Sequence, residues 1–175
     1  MKLTIIIVAG IIAALVLAIA VIALIGSLLP KDHSVTRSIV LQQKAEAVYA
    51  VVRDFESAPK WRPDVRDVKI TTGENGCVRF REEGKHGAVN YELAEDVPAQ
   101  RMVTRITDKD LGYAGKWTYV LASERSGTRV TITEDGEVSN VIFRFLSRYA
   151  FGHTATIDGY LTALGKRFGE NVRPK

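Results

Sequence analysis

Apolar and polar positions divide this chain at Leu29. From Leu3 to Leu29 no charged side chain interrupts the apolar run, which exceeds the roughly 20 residues that a helix needs to cross about 30 Å of hydrocarbon. Beyond Pro30 the period changes. Ser34 to Leu41 alternates, with Val35, Ile39 and Leu41 on one parity and Arg37 as the polar exception, which predicts a strand. Lys44 to Phe55 places Val48, Val51, Val52 and Phe55 at helical spacing, so a helix follows. In SAPKWRP, Pro59 and Pro63 flank Trp61 and predict a short second helix or a turn.

From residue 65 to 137 the period is mostly two. Breaks at Gly73 to Gly76, Gly84 to Gly87, Pro98, Asp108 to Gly112 and Ser126 to Gly127 divide this stretch into six strands: 65–71, 77–83, 88–96, 101–107, 114–123 and 128–137. Loops this short imply antiparallel neighbours, because parallel crossovers need a dozen or more residues. One parity collects Val78, Phe80, Val89, Tyr91, Leu93, Met102, Ile106, Trp117, Tyr119, Leu121, Val130 and Ile132, while the other is rich in Arg, Lys and Thr. One face of the sheet is therefore wet and the other covered. The cover is predicted at the end of the chain. Ile142, Leu146, Tyr149, His153, Ile157, Leu161, Leu164 and Phe168 recur three or four residues apart, as on one helix of about 40 Å. Gly152, Gly159 and Gly165 would weaken that helix, permitting a bend or a close backbone approach.

These elements organise the chain as an anchor at 1–30, a short linker at 31–33, one α+β domain at 34–170 and a tail at 171–175. A cleavable signal peptide competes with the anchor. Its apolar core is normally about 7–15 residues, however, and Ala18, Ala20 and Ala23 lie inside the run instead of after it. Lys2 stands at one end of the span and Lys31, Arg37 and Lys44 at the other, a small lean towards a cytoplasmic domain on a single-pass protein.

Charge narrows the partners. All but one of the 24 Lys and Arg, and all 20 Asp and Glu, follow the apolar run without forming a basic block, which argues against nucleic acid. The single cysteine, Cys77, excludes an internal disulfide and reads as a half-buried strand thiol. His33, His86 and His153 have no metal-ligand spacing, and no nucleotide-binding or hydrolase motif occurs, so neither metal nor cofactor is expected.

The order strand, helix, short helix, six antiparallel strands, long helix resembles the helix-grip fold of the START/Bet v 1-like (SRPBCC) superfamily. It is most similar to the polyketide cyclase/dehydrase and lipid-transport branch. The opening VTRSIVLQQKAEAVYAVVRDFESAPKWRPDVRDVKI carries the likeness, with Trp61, Pro63, Asp64 and Val65 leading into the second strand. It extends over roughly Ser34 to Gly169. The resemblance implies a curved seven-stranded antiparallel sheet around a long C-terminal helix, preceded here by a transmembrane helix. It also implies an enclosed apolar cavity whose ligands among relatives include lipids, quinones and polyketides, with catalysis in a minority.

Parity and helix phase make Tyr91, Met102, Trp117, Tyr119, Ile132, Tyr149, His153 and Ile157 the candidate ligand-binding residues. The same residues could simply fill a core. His153 and Tyr149, one turn apart on an apolar stripe, are the weak catalytic candidates, and a satisfied structural histidine is the simpler reading. Glu82, Glu95 and Glu134 share the apolar parity but lie near strand ends, where side chains usually reach solvent. The functional expectation is a membrane-tethered domain, held through residues 3–29, that binds an apolar small molecule or lipid. A cyclase/dehydrase-like enzyme acting on an apolar substrate and a non-catalytic accessory protein are the alternatives, and protein partners are left open.

Overall fold

The computed structural model describes residues 2–73, 76–85, 87–152 and 154–175. Helix α1 spans Lys2–Leu28 and is apolar throughout, with Ile, Val and Leu side chains exposed along its length. It is long and apolar enough to cross a bilayer. Strand β1, Asp32–Leu41, begins two residues ahead of the expected Ser34, so the segment 31–33 contributes to the sheet instead of serving only as a linker. Helix α2, Ala45–Arg53, buries Ala45, Val48 and Val52, and the proline-bearing stretch after it forms a 3-10 helix at Phe55–Lys60.

The six further strands are β2 Val65–Thr72, β3 Val78–Gly84, β4 Gly87–Val97, β5 Arg101–Ile106, β6 Tyr113–Glu124 and β7 Gly127–Val138. All neighbours are antiparallel, in the order β1-β7-β6-β5-β4-β3-β2, so the first strand closes against the last. The core lies on the predicted dry face, where Ile39, Leu41, Met102, Tyr119, Leu121, Val130 and Ile132 meet Val48 and Val52 of α2. Ser38 lies on the free edge of β1. Its backbone N–H and C=O exchange two 3.0 Å bonds with Lys175, so the tail occupies that edge at its middle.

The single helix expected over 141–168 is instead broken. Helix α3 covers Val141–Leu146, a π-helical turn covers Ser147–Phe151, and α4 covers Ala155–Arg167. Gly152 takes a positive φ of 72°, a backbone that a right-handed helix cannot contain. Farther on, Gly165 is needed for close approach, because a Cβ there would overlap the Val172 side chain. The two halves of the apolar stripe accordingly part company. Helix α4 covers the sheet with Ile157, Tyr160, Leu161 and Leu164, whereas α3 packs against α1 and the end of β7.

The strand ends give the molecule a polarity. Starts of β1, β6, β4 and β2 and ends of β7, β5 and β3 share the rim next to the last turn of α1. At the opposite rim, the Glu170 carboxylate accepts from the backbone N–H of Gln42 at 3.0 Å, which places the end of α4 there and its start near α1.

Candidate functional site

Aromatic side chains from the 3-10 helix, β3, β4, β6 and α4 meet between α4 and the sheet. Phe55 of the 3-10 helix stacks on Phe80 of β3 at 4.1 Å between ring centroids, and Phe80 stacks on Tyr91 of β4 at 5.1 Å. Tyr160 of α4 gathers a second group, with Trp61 at 5.3 Å, Trp117 at 5.7 Å and Tyr119 at 5.8 Å. Cross-strand pairing explains the cluster, since Phe80 lies opposite Tyr91, Thr104 opposite Trp117 and Met102 opposite Tyr119.

A charged pair lies under these rings. Arg62, only 13% exposed, grips Glu82, 16% exposed, with Nη1 to Oε2 at 2.7 Å and Nη2 to Oε1 at 2.9 Å. Its Nη2 also donates to Asp64 at 2.6 Å, and the guanidinium carbon lies 5.2 Å from the Tyr160 ring centre. Burial works against the arginine charge, but the carboxylates of Glu82 and Asp64 outweigh it and hold the guanidinium pKa above its ordinary value. Burial likewise raises the phenol pKa values of Tyr91, Tyr119 and Tyr160, and repulsion from Glu82 adds to the effect. The three hydroxyls stay protonated at neutral pH and act as hydrogen-bond donors. A second acidic centre is Glu134, which accepts from Trp117 Nε1 at 3.0 Å and faces His33 Nε2 at 3.3 Å.

Glu82 and Glu134 are thus held inside by partners and do not fray into solvent as their positions near strand ends suggested. Glu95 does turn outward, towards Arg101 at 3.0 Å, for a different reason. The register of β4 against β5 slips between Leu93 and Glu95, and this bulge inverts the parity beyond it. Asp96 therefore takes the inner side, where it accepts from Tyr49 Oη and Arg53 Nε.

Of the sequence-derived candidates, Tyr91, Trp117 and Tyr119 belong to the aromatic group, and Met102, Ile132 and Ile157 are buried in the core beside it. Tyr149 lies elsewhere. It is 63% exposed and packs on Phe145 at 5.0 Å, because the π-helical turn and Gly152 take it off the face that α4 presents to the sheet. His153 lies outside the described residues. The continuous helix face on which the two were expected to pair is broken between Phe151 and Ala155.

Tyr160 and Arg62 were not among the candidates. The signal for Tyr160 was its i+3 spacing from Ile157 and i+4 spacing to Leu164; Arg62 gave none, since its interior placement depends on Glu82, twenty residues later.

The cover is incomplete at the rim near α1. Tyr91, Leu93, Ile106, Tyr113 and Trp117 face inward but are only partly buried, whereas Met102, Tyr119 and Ile132, farther from that rim, are buried. A shallow cleft of about 530 Å³ lies at that rim, lined mostly by wet-face residues such as Asp32, Arg105, Lys116 and Asp135, with Ile106 and Gly115 beside them, and the His33 ring fills the space that a side chain at Gly136 would take. A second cleft, of about 520 Å³, lies between the 3-10 helix and α4 and is lined by Trp61, Arg62, Asp158 and Thr162. Among the described residues no cluster of His, Cys, Asp and Glu is arranged to hold a metal ion.

A family model described as polyketide cyclase / dehydrase and lipid transport matches residues 32–168. No curated protein matches the chain. Among solved structures, a START superfamily protein from Mycobacterium smegmatis aligns with a TM-score of 0.57 at 20% identity, covering 77% of this chain and 96% of that one. The di-domain ARO/CYC StfQ of the steffimycin biosynthetic pathway aligns with a TM-score of 0.62 at 12% identity, covering 79% of this chain and 52% of StfQ, so the present chain spans about half of that protein. The Zhui aromatase/cyclase from Streptomyces sp. R1128 gives 0.58 at 11% identity, covering 78% and 93%. At such identities the likeness is one of fold.

Proposed function

The chain belongs to the polyketide cyclase / dehydrase and lipid transport family, and on that premise we propose that it is a membrane-tethered binder of an apolar small molecule or lipid. The ligand enters at the rim next to α1 and lies against Tyr91, Leu93, Ile106 and Trp117. The observation that carries this reading is the half-open inner face at that rim, left because α3 turns to α1 instead of covering the sheet. Large, partly buried apolar side chains beside a few fixed polar groups suit a mostly apolar molecule with one polar end. Each Å² of apolar ligand surface removed from water contributes about 25 cal/mol before the costs of ordering.

Polar recognition falls to groups already fixed in place. The Glu134 carboxylate, fixed by Trp117 Nε1 and facing His33, is the acceptor at that rim, and the Tyr91 hydroxyl, held protonated by burial, is the donor. Transfer or presentation is favoured over chemistry, a reading supported by the place of Tyr149 on an exposed turn away from the aromatic group. With α1 in the bilayer, the short link to β1 keeps the open rim beside a source of apolar molecules.

Fluorescence tests the site directly. The chain holds two tryptophans, so Trp61→Phe leaves Trp117 as the reporter. In full-length protein reconstituted in unbrominated vesicles, a brominated fatty acid is expected to quench Trp117 saturably. A linear, unsaturable response equal to that of free tryptophan analogue in the same vesicles contradicts the reading.

A further inference from the structure

The junction between α1 and the domain is built as one rigid piece. Gly26 is buried against α3, where a Cβ would overlap the carbonyl oxygen of Val141. Arg144, 6% exposed, completes the joint. Its Nη1 donates to the carbonyls of Gly26 at 3.1 Å and Leu29 at 3.0 Å, its Nε to Val138 at 3.0 Å and its Nη2 to Ser139 at 3.2 Å. One guanidinium thus adds to the long 3.4 Å bond that the Leu29 N–H makes to the Gly26 carbonyl, satisfies the Leu29 carbonyl, and ties the C-terminus of α1 to the end of β7.

That joint sets a depth. The apolar span of α1 runs over 25 residues, Thr4–Leu28, or about 37 Å at about 1.5 Å per residue against about 30 Å of hydrocarbon. Gly26, two residues from its end, falls at the boundary of hydrocarbon and headgroups. Val141, in contact with Gly26, falls at the same depth. The side chains that α3 and the π-helical turn leave uncovered suit that level: Ile142 is 41% exposed, Phe143 43% and Tyr149 63%, and Arg148 beside them is exposed too. Phe143 also stacks on Tyr113 at 6.0 Å, fixing α3 to the open rim of the sheet.

We propose that α3 and the turn at Ser147–Phe151 lie in the interface of the bilayer that α1 crosses, with Ile142, Phe143 and Tyr149 inserted among the headgroups and first acyl carbons. The inference rests on α1 spanning the membrane. Continuity of this patch with the end of the span identifies the occupant as lipid. Aromatic rings with a polar edge favour this zone, and an arginine reaches out of it to phosphate. The consequence is orientation: the rim carrying Tyr113 and Trp117 faces the leaflet, so an apolar ligand passes between lipid and protein with little exposure to water.

Depth-dependent quenching tests this in the full chain. With Cys77→Ser as background, single cysteines at Leu17, Phe143, Tyr149 and Arg125 carry a bimane label in phosphatidylcholine vesicles containing brominated lipid. Arg125 lies in the β6–β7 turn at the opposite rim. Labels at 143 and 149 are expected to be quenched several-fold more than the label at 125, and most by lipids brominated near the headgroup. Quenching at 17 with none at 143 and 149 overturns the interfacial placement and leaves the tether standing. Absence of quenching at 17 overturns both. Energy transfer between copies labelled at 149, without lipid quenching, assigns the patch to a second copy and likewise overturns the proposal.

Discussion

Arg62 holds Glu82 through two parallel hydrogen bonds of 2.7 and 2.9 Å, directly beneath the ring of Tyr160. Removing one member leaves the other charged and poorly solvated. Arg62→Ala is expected to cost about 3–5 kcal/mol of stability, while the paired replacement Arg62→Met with Glu82→Leu recovers most of it. Chemical denaturation of the full chain in detergent, followed by tryptophan emission, measures both. A loss under 1 kcal/mol in Arg62→Ala means that the pair is not buried as described.

Alkaline pH unfolds the protein through its tyrosines. Burial raises the pKa values of Tyr91, Tyr119 and Tyr160 above the ordinary 10.0, so each phenol is neutral in the fold and ionises more readily once released. Their contribution is complete below pH 10 and disappears as pH rises from there towards the folded pKa values. Phenolate absorbance should therefore appear in two stages, the second coinciding with loss of near-ultraviolet circular dichroism. A single titration near pH 10 with the fold intact contradicts this.

Gly165 offers a coupled test of the C-terminal tail. A methyl group there overlaps Val172, whose segment carries Lys175 to its pairing with Ser38. Gly165→Ala is expected to lower stability by about 1–2 kcal/mol despite the better helix propensity of alanine. In a Val172→Ala background the same change is expected to cost less than half as much. Equal effects in the two backgrounds would mean that the two positions do not touch.

The alternation of the strands revealed most of the sheet, because one covered face forces a period of two. Phe80, Tyr91, Tyr119 and Ile132 point inward as that period requires. It failed beyond Leu93, where a bulge inverts parity, so Asp96 and not Glu95 meets α2. Glu82 misled in another way: charge and place near a strand end suggest solvent, and only the distant Arg62 makes burial tolerable. The C-terminal break was the larger surprise. Ile142, Leu146, Tyr149 and Ile157 keep helical spacing whether or not the helix is continuous, so periodicity alone cannot register the turn that divides them. What redirects α3 is the last turn of α1, through Gly26 and Arg144, a contact between segments more than a hundred residues apart.

Arg144→Ala should loosen that contact. It removes donors from the carbonyls of Gly26, Leu29, Val138 and Ser139, a loss of about 2–3 kcal/mol. Limited proteolysis of the vesicle-bound chain is expected to cut the variant near 29–31 well before the wild type. Identical cleavage rates would mean that the guanidinium does not hold the joint.

Mass spectrometry of an organic extract from gently purified full-length protein tests the central claim most directly. A single class of apolar molecule, retained in stoichiometric amount by the wild type and lost when Leu93→Arg places a charge at the open rim, is the predicted result. A wild-type extract whose lipids match the surrounding membrane in kind and proportion, unchanged in the Leu93→Arg variant, would contradict it.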